Sequence, residues 1–394
     1  MVLVLFVLVL LAVFSWFLFR DIRSPVFLFV FIWSSVFFVN IAMLDYIAVS
    51  EEALTYVMFM VCAFIIGAVC FKGKVFVTNT VNRGSINDSL LRVFFFISLF
   101  IQLLALIILL YEYQRFPGGI TSFIGYLRSV QMFPDEFAYP GMLSNALLMR
   151  IIKNNYLFNY ILLIIYVLRS PDVTKGIIIC LLSRLLYAGL MGSRWQGVMD
   201  ILSLAFIYLD RKEYLSKSII KYTFYFLVFF MVAGVFRSSN GFGIDYFIMY
   251  IFGGLPAFGE MFKNPDLFYL PNTAIYIEQL LGGAADGAFN IVADSIWLND
   301  SIKTNTYSVF GVLYKYYGHL GSLIYFFCYG AILSILARNK SNGLFSPVLY
   351  YIVAPTVLLT VFTESILLLF PIILRLLFLM LILKISIRVK NVSA

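Results

Sequence analysis

Residues 93–112 read VFFFISLFIQLLALIILLYE, twenty positions in which the one charge, Glu112, comes last. A helix rises 1.5 Å per residue, so about 20 apolar residues reach across the roughly 30 Å of hydrocarbon in a bilayer. Runs of this kind recur along the chain. Spans are expected at about 2–19, 26–44, 53–71, 93–112, 147–168, 176–192, 196–209, 222–236, 319–337, 345–362 and 366–386. The expected fold is all-α: a polytopic integral membrane protein of about eleven transmembrane helices, residues 1–394 forming a single transmembrane domain.

Composition agrees. The chain is 62% hydrophobic and 12% charged, where a soluble domain is roughly half apolar and a quarter charged. An outer-membrane barrel would show short alternating strands instead of continuous runs. Met1 to Phe19 has no basic start and no small-residue cleavage site, so it is expected to remain as the first span. Cys62, Cys70, Cys180 and Cys328 all fall inside apolar runs without zinc-ligand or redox spacing; buried, inert thiols are expected.

The net charge of +8 is dispersed among short loops, which argues against nucleic acid and reports topology instead. Alternate connections (20–25, 72–92, 169–175, 210–221, 338–343 and 384–394) collect more than half of the 28 lysines and arginines. Placing these in the cytoplasm puts the N-terminus in the periplasm and the C-terminus inside. Both longer connections, 113–144 and 237–317, then face the periplasm, the larger one lying between spans eight and nine with short interfacial helices.

Motifs for nucleotide, metal or serine-hydrolase chemistry are missing, and the single histidine excludes a multi-histidine metal site. No cofactor is implied. Arginine in or beside the membrane stands out instead. Arg194 caps the hairpin of spans six and seven, Arg237 ends span eight, and Arg184 lies near the middle of span six. Ionisable groups at such depths are costly and face a polar cavity or a partner. A guanidinium keeps its charge and matches phosphate oxygens in a planar fork. Arg194 and Arg237 would clamp a pyrophosphate, with snorkelling or topology anchoring as the alternative. For Arg184 the alternative is a structural pair with a nearby acid. Arg150 and Lys153, near the outer end of span five, are secondary phosphate candidates or interfacial residues. Arg375 falls in the cytoplasmic half of span eleven by this count, where a structural role is expected.

Accepting a hydroxyl proton needs a placed carboxylate or imidazole. Asp286 lies in Gly282-Gly283-Ala284-Ala285-Asp286-Gly287, Asp245 follows Arg237, Glu364 marks the last outer turn, and His319 opens span nine. Any one of these acids is alternatively a solvated loop charge, and His319 an interfacial polar residue. Tyr250, Trp297 and Tyr307 belong to an aromatic-rich loop suited to stacking on sugar rings, or to an aromatic belt at the interface. The run from Tyr246 to Phe258, with Gly253-Gly254, reads as a short helix in or re-entering the interface.

In Gly192-Ser193-Arg194 at a hairpin tip, in Arg237 leading to Tyr250 and Gly253-Gly254, and in Asn305-Thr306-Tyr307 followed by Tyr317-Gly318 and Gly321, the chain resembles the Wzy-type O-antigen polymerases. These stretches cover a minority of the residues. The resemblance implies a GT-C-like, metal-independent glycosyltransferase of the bacterial inner membrane with its active site facing the periplasm. Such an enzyme moves a growing glycan from undecaprenyl pyrophosphate onto a new lipid-linked repeat unit in lipopolysaccharide O-antigen biosynthesis. Arg194 and Arg237 match the family's outer arginines; His319 stands where an apolar residue is common. Implied partners are the lipid-linked oligosaccharide, membrane lipid, a chain-length regulator and a flippase. An O-antigen ligase and a lipid-linked oligosaccharide flippase are the rival readings; transporters favour paired repeats and mid-membrane breaks, and no repeat is visible here.

Overall fold

The computed structural model describes residues 2–21, 23–42, 50–72, 88–132, 136–170, 174–191, 194–211, 252–270, 296–297, 303–304, 307–341, 343, 345–362 and 365–392. The helices are α1 (Val2–Phe19), α2 (Pro25–Ala42), α3 (Glu51–Cys70), α4 (Asp88–Arg115), α5 (Ile120–Met132), α6 (Ala146–Arg169), α7 (Lys175–Leu190) and α8 (Arg194–Arg211). They continue with α9 (Gly254–Lys263), α10 (Ser308–Asn339), α11 (Phe345–Val353), α12 (Thr356–Leu359) and α13 (Phe370–Val392). Short 3-10 turns lie at Gly141–Ser144, Pro265–Leu267 and Leu367–Leu369. The only sheet among the described residues is a two-residue antiparallel pair, β1 (Ile296–Trp297) with β2 (Lys303–Thr304).

Among the described residues α2, α3, α4, α6 and α10 are long and apolar enough to cross a bilayer. The exposed face of α4 shows why water is the wrong solvent. Phe96, Phe100, Leu103, Ile107 and Leu110 follow one another along that face, an unbroken apolar stripe that a soluble monomer would hide. Its opposite, buried face carries Ser98, Gln102 and Glu112 among apolar residues. Apolar outside and polar inside is the pattern lipid imposes, and the chain is a helical membrane protein.

Compared with the expected spans, α1 to α4 and α6 to α8 begin and end within a few residues of their apolar runs. Three differences have physical causes. The connection 113–144 is not plain loop: α5 buries Phe123, Leu127 and Val130 on one face. These are spaced as neighbouring turns of a helix, too sparse to register as a membrane span. The tenth helix starts at Ser308, well before 319, and is interrupted at Gly318 (φ 61°, ψ −161°), a conformation open only to glycine. The expected span at 345–362 is two helices, α11 and α12, split before Pro355, whose ring removes a backbone donor. Expected span eight, 222–236, lies outside the described residues.

The chain divides into two compact units. The first holds residues 1–77, 242–340 and 353–369. Its centre is the close pairing of α3 with α10, where a methyl on Gly67 would overlap the Phe327 carbonyl and one on Gly330 the Phe64 carbonyl. Phe29, Phe64, Phe326 and Tyr329 stack around this contact. Trp33 Nε1 donates to Thr360 Oγ1 at 3.1 Å, and Tyr329 and Thr356 share a hydroxyl bond at 2.8 Å. Helix α9 overlaps only the end of the run Tyr246–Phe258 expected as a short helix, residues 246–251 lying outside the described residues, and it buries Leu255, Ala257, Phe258 and Met261.

The second unit holds residues 78–241, 341–352 and 370–394. Here α4, α6, α7 and α8 pack together, and Arg211 caps α6 by donating to the Val167 and Ser170 carbonyls, which compensates bare acceptors at a helix end. All four cysteines are free, but only Cys180 is buried; Cys70 and Cys328 are exposed on outward faces. The expectation of uniformly buried thiols is corrected there, because an apolar run says nothing about which helix face a residue occupies.

Candidate functional site

The second unit carries a pocket of about 470 Å³ at the start of α6. Asn145 caps that helix, its side chain accepting from Leu148 N at 3.0 Å, as an N-cap should. One wall is the 3-10 turn Gly141–Ser144. Glu112, buried at the end of α4, accepts from Met142 N at 2.8 Å. Gly141 has φ +50°, and any side chain there would collide with the Glu112 carboxylate. Arg150, Lys153 and Asn154 on α6 line the pocket, with Tyr139 and Ser144 across from them. Lys153 Nζ lies 5.4 Å from the Tyr139 ring centroid, a cation–π distance. Among the described residues no carboxylate lines this pocket, and neither Arg150 nor Lys153 forms an ion pair. Two cations in a concave setting have the chemistry to receive an anion.

Deeper in the same unit lies a polar network. Arg184 is buried, with Nε donating to Asp200 Oδ2 and Nη2 to Asp200 Oδ1, each at 2.9 Å. Nη1 donates to the Tyr156 carbonyl and, at 3.4 Å, to Asn159 Oδ1. The guanidinium also stacks 4.0 Å from the Tyr156 ring centroid. Ser98 joins α4 to α6, donating to Asn155 Oδ1 at 2.8 Å and accepting from Asn159 Nδ2 at 3.1 Å. The structural pair with a nearby acid, the alternative for Arg184, is thus what the geometry contains. Its donors are spent on the protein, so it is a strut between α6, α7 and α8.

The other expected site residues are scattered. His319 is exposed and follows the Gly318 break, its ring edge-on to Tyr56, Phe262 and Tyr314 at 5.2 to 5.9 Å. Tyr307 is buried ahead of α10 and packs near Phe268, where it cannot offer a face to a glycan. Trp297 belongs to β1. Arg194 is the first residue of α8. Arg237, Asp245, Tyr250, Asp286 and Glu364 lie outside the described residues. Among the described residues, Arg150 and Lys153 are brought together in this cavity. Among the described residues no three His, Cys, Asp or Glu side chains gather closely enough for a metal ion.

Asp200 and Asn159 escaped the sequence reading, yet one signal was present. Arg184 and Asp200 are equidistant in sequence from Gly192 at the tip of a two-helix hairpin, which places them at one depth. Glu112 had no such signal; its partner is a backbone amide beyond α5.

Fold and pocket define a helical membrane protein with a cavity at the start of α6 that holds two cationic side chains. Set against protein-family models, curated proteins and solved structures, the chain matches none.

Proposed function

We propose that this protein is a membrane glycosyltransferase of the O-antigen polymerase type. It would move a growing glycan from a polyprenyl diphosphate onto a lipid-linked repeat unit at the periplasmic face of the bacterial inner membrane, with eleven spans and a periplasmic N-terminus. The observation that carries the reading is the cavity holding Arg150 and Lys153, with no acid among the described residues of its lining. Outside the cytoplasm no nucleotide sugar is supplied, so the donor must already be activated, and a lipid diphosphate is such a donor. In the reaction the bond between sugar C1 and the diphosphate oxygen breaks, and the electron pair leaves with the diphosphate. The acceptor hydroxyl oxygen bonds to C1 and gives its proton to a carboxylate, Asp286 by preference. Fixed cations stabilise the charge gathering on the departing diphosphate. On this reading Arg194 and Arg237 complete the diphosphate site begun by Arg150.

Deletion of the coding sequence, with lipopolysaccharide separated on a gel, tests this. Core capped with one repeat unit is the expected result. Bare core would replace the reading with a ligase or a flippase, and an unchanged ladder would remove the protein from this chemistry.

A further inference from the structure

Helix α6 opens outward only beside the cavity. Its exposed residues, Ala146, Leu147, Arg150, Ile151 and Lys153, all fall within its first eight positions, and Ile161 to Ile165 are buried. Helix α4 is different, exposing apolar residues from Phe96 to Leu110 along most of its length. The open patch on α6 is therefore local to the cavity and not a general lipid-facing flank. Two of its members are bulky and apolar: Leu147 is 67% exposed and Ile151 46%. Both lie just outside the cavity lining. Residues three and four apart are neighbours on a helix, so Leu147 borders Arg150, and Ile151 borders Asn154. Within the lining, Leu143 and Met149 are buried and join the apolar cluster that includes Phe123 and Leu127 of α5. Cations on one side with apolar surface on the other suit a molecule that is itself divided, with an anionic head and a hydrocarbon chain. A free anion would use only the cations.

We infer that the cavity takes its diphosphate from within the bilayer: the head meets Arg150 and Lys153 while the first part of the lipid chain lies over Leu147 and Ile151. This rests on reading the cavity as the diphosphate site and adds how the lipid is seated there. The apolar strip does not attract the chain, because bilayer hydrocarbon is as apolar as leucine. It lets the head dock while the chain stays in apolar surroundings throughout. A polar side chain at 147 or 151 would lose its hydrogen-bond partners beneath the chain, which costs free energy. An anion arriving from water never passes over these positions and does not register the change.

The test uses the full chain in lipid nanodiscs, with inorganic pyrophosphate and farnesyl diphosphate as probes and dissociation constants as the readout. Comparing variants in identical nanodiscs cancels the partition of the farnesyl chain into lipid. Wild type is expected to bind farnesyl diphosphate more tightly than pyrophosphate. With Leu147→Asn and Ile151→Asn combined, farnesyl diphosphate is expected to bind about tenfold more weakly and pyrophosphate as before. Leu182→Asn, on the exposed face of α7, is the control and should leave both constants alone. A double variant that keeps the wild-type ratio overturns the seating of the chain and leaves the diphosphate site standing. One that loses both probes alike overturns it too, assigning Leu147 and Ile151 to the shape of the cavity. Equal binding of the two probes by wild type overturns loading from the bilayer, and wild type that binds neither overturns the proposed function as well. A short isoprenoid diphosphate carrying a benzophenone beside its head makes the same test without a substitution. Its photo-crosslink to wild type is expected within residues 143–154, and a crosslink confined to other helices overturns the inference.

Discussion

Arg184 and Asp200, equally far in sequence from Gly192, meet inside the second unit as a bidentate ion pair with both contacts at 2.9 Å. Both side chains are almost wholly buried. Removing one partner strands the other charge in the interior, at a cost of about 3–5 kcal/mol. Arg184→Met and Asp200→Leu are each expected to lower the unfolding free energy in detergent by that order. The double variant should lose far less than the sum. Additive losses in a double-mutant cycle would show that the pair is not coupled.

In the first unit, Gly67 and Gly330 let α3 and α10 touch backbone to backbone. Close approach through small residues drives helix association in lipid. Alanine at either position must push the helices apart, with an expected loss of about 1–3 kcal/mol, as in other overpacked cores. Gly125→Ala and Gly189→Ala are the controls, since nothing lies within 4 Å of an added methyl at either position. Those two should stabilise by roughly 0.5–1 kcal/mol, the helix-propensity difference between glycine and alanine. Equal effects at all four sites would contradict the packing account.

Gly318 offers a backbone effect free of packing, because an added side chain there meets open space. Gly318→Ala forces a side chain into a region that costs about 1–3 kcal/mol. Relief would come from straightening α10, which would pull Lys315 from the Pro265 and Phe268 carbonyls and Tyr316 from that of Leu270. Faster hydrogen exchange across 265–270 in the variant is the expected signature, and unchanged exchange would refute it.

Glu112 holds the pocket wall through Met142 N. Glu112→Ala leaves that amide without its acceptor, an expected loss of about 1–3 kcal/mol. Glu112→Gln keeps an acceptor in place and should lose less. If the two variants unfold alike, the hydrogen bond does not secure the turn.

Arg150 and Lys153 are exposed, so neither Arg150→Gln nor Lys153→Gln should move stability by more than about 0.5 kcal/mol. Each is expected to weaken pyrophosphate binding about tenfold. Calorimetric titration of the purified variants checks both halves of the statement. Loss of stability without loss of binding would assign these residues to structure.

Helices were the most legible feature of this chain, because transfer to lipid is a local, additive property of twenty neighbouring residues. The runs at 2–19, 147–168 and 176–192 reappear as α1, α6 and α7 almost residue for residue. The candidate site was legible only in part. Arg150 and Lys153 could be picked as exposed cations near a helix end, but the contact of Arg375 with Asn154, made between residues far apart in sequence, could not. Tyr307 read as a surface aromatic and is buried.

The sequence by itself determined that the protein lives in a bilayer, where most of its helices run, and which residue types were available for anion chemistry. Tertiary structure alone decided which charges are spent and which remain. Arg184 closes on Asp200, Arg375 reaches Asn154, and Arg150 with Lys153 keep an open cavity. The physical reason is that hydrophobicity sums along the chain, whereas a charge takes its meaning from the one partner within a few ångströms. That partner is set by helix depth, rotation and start point, none of which a single apolar run records.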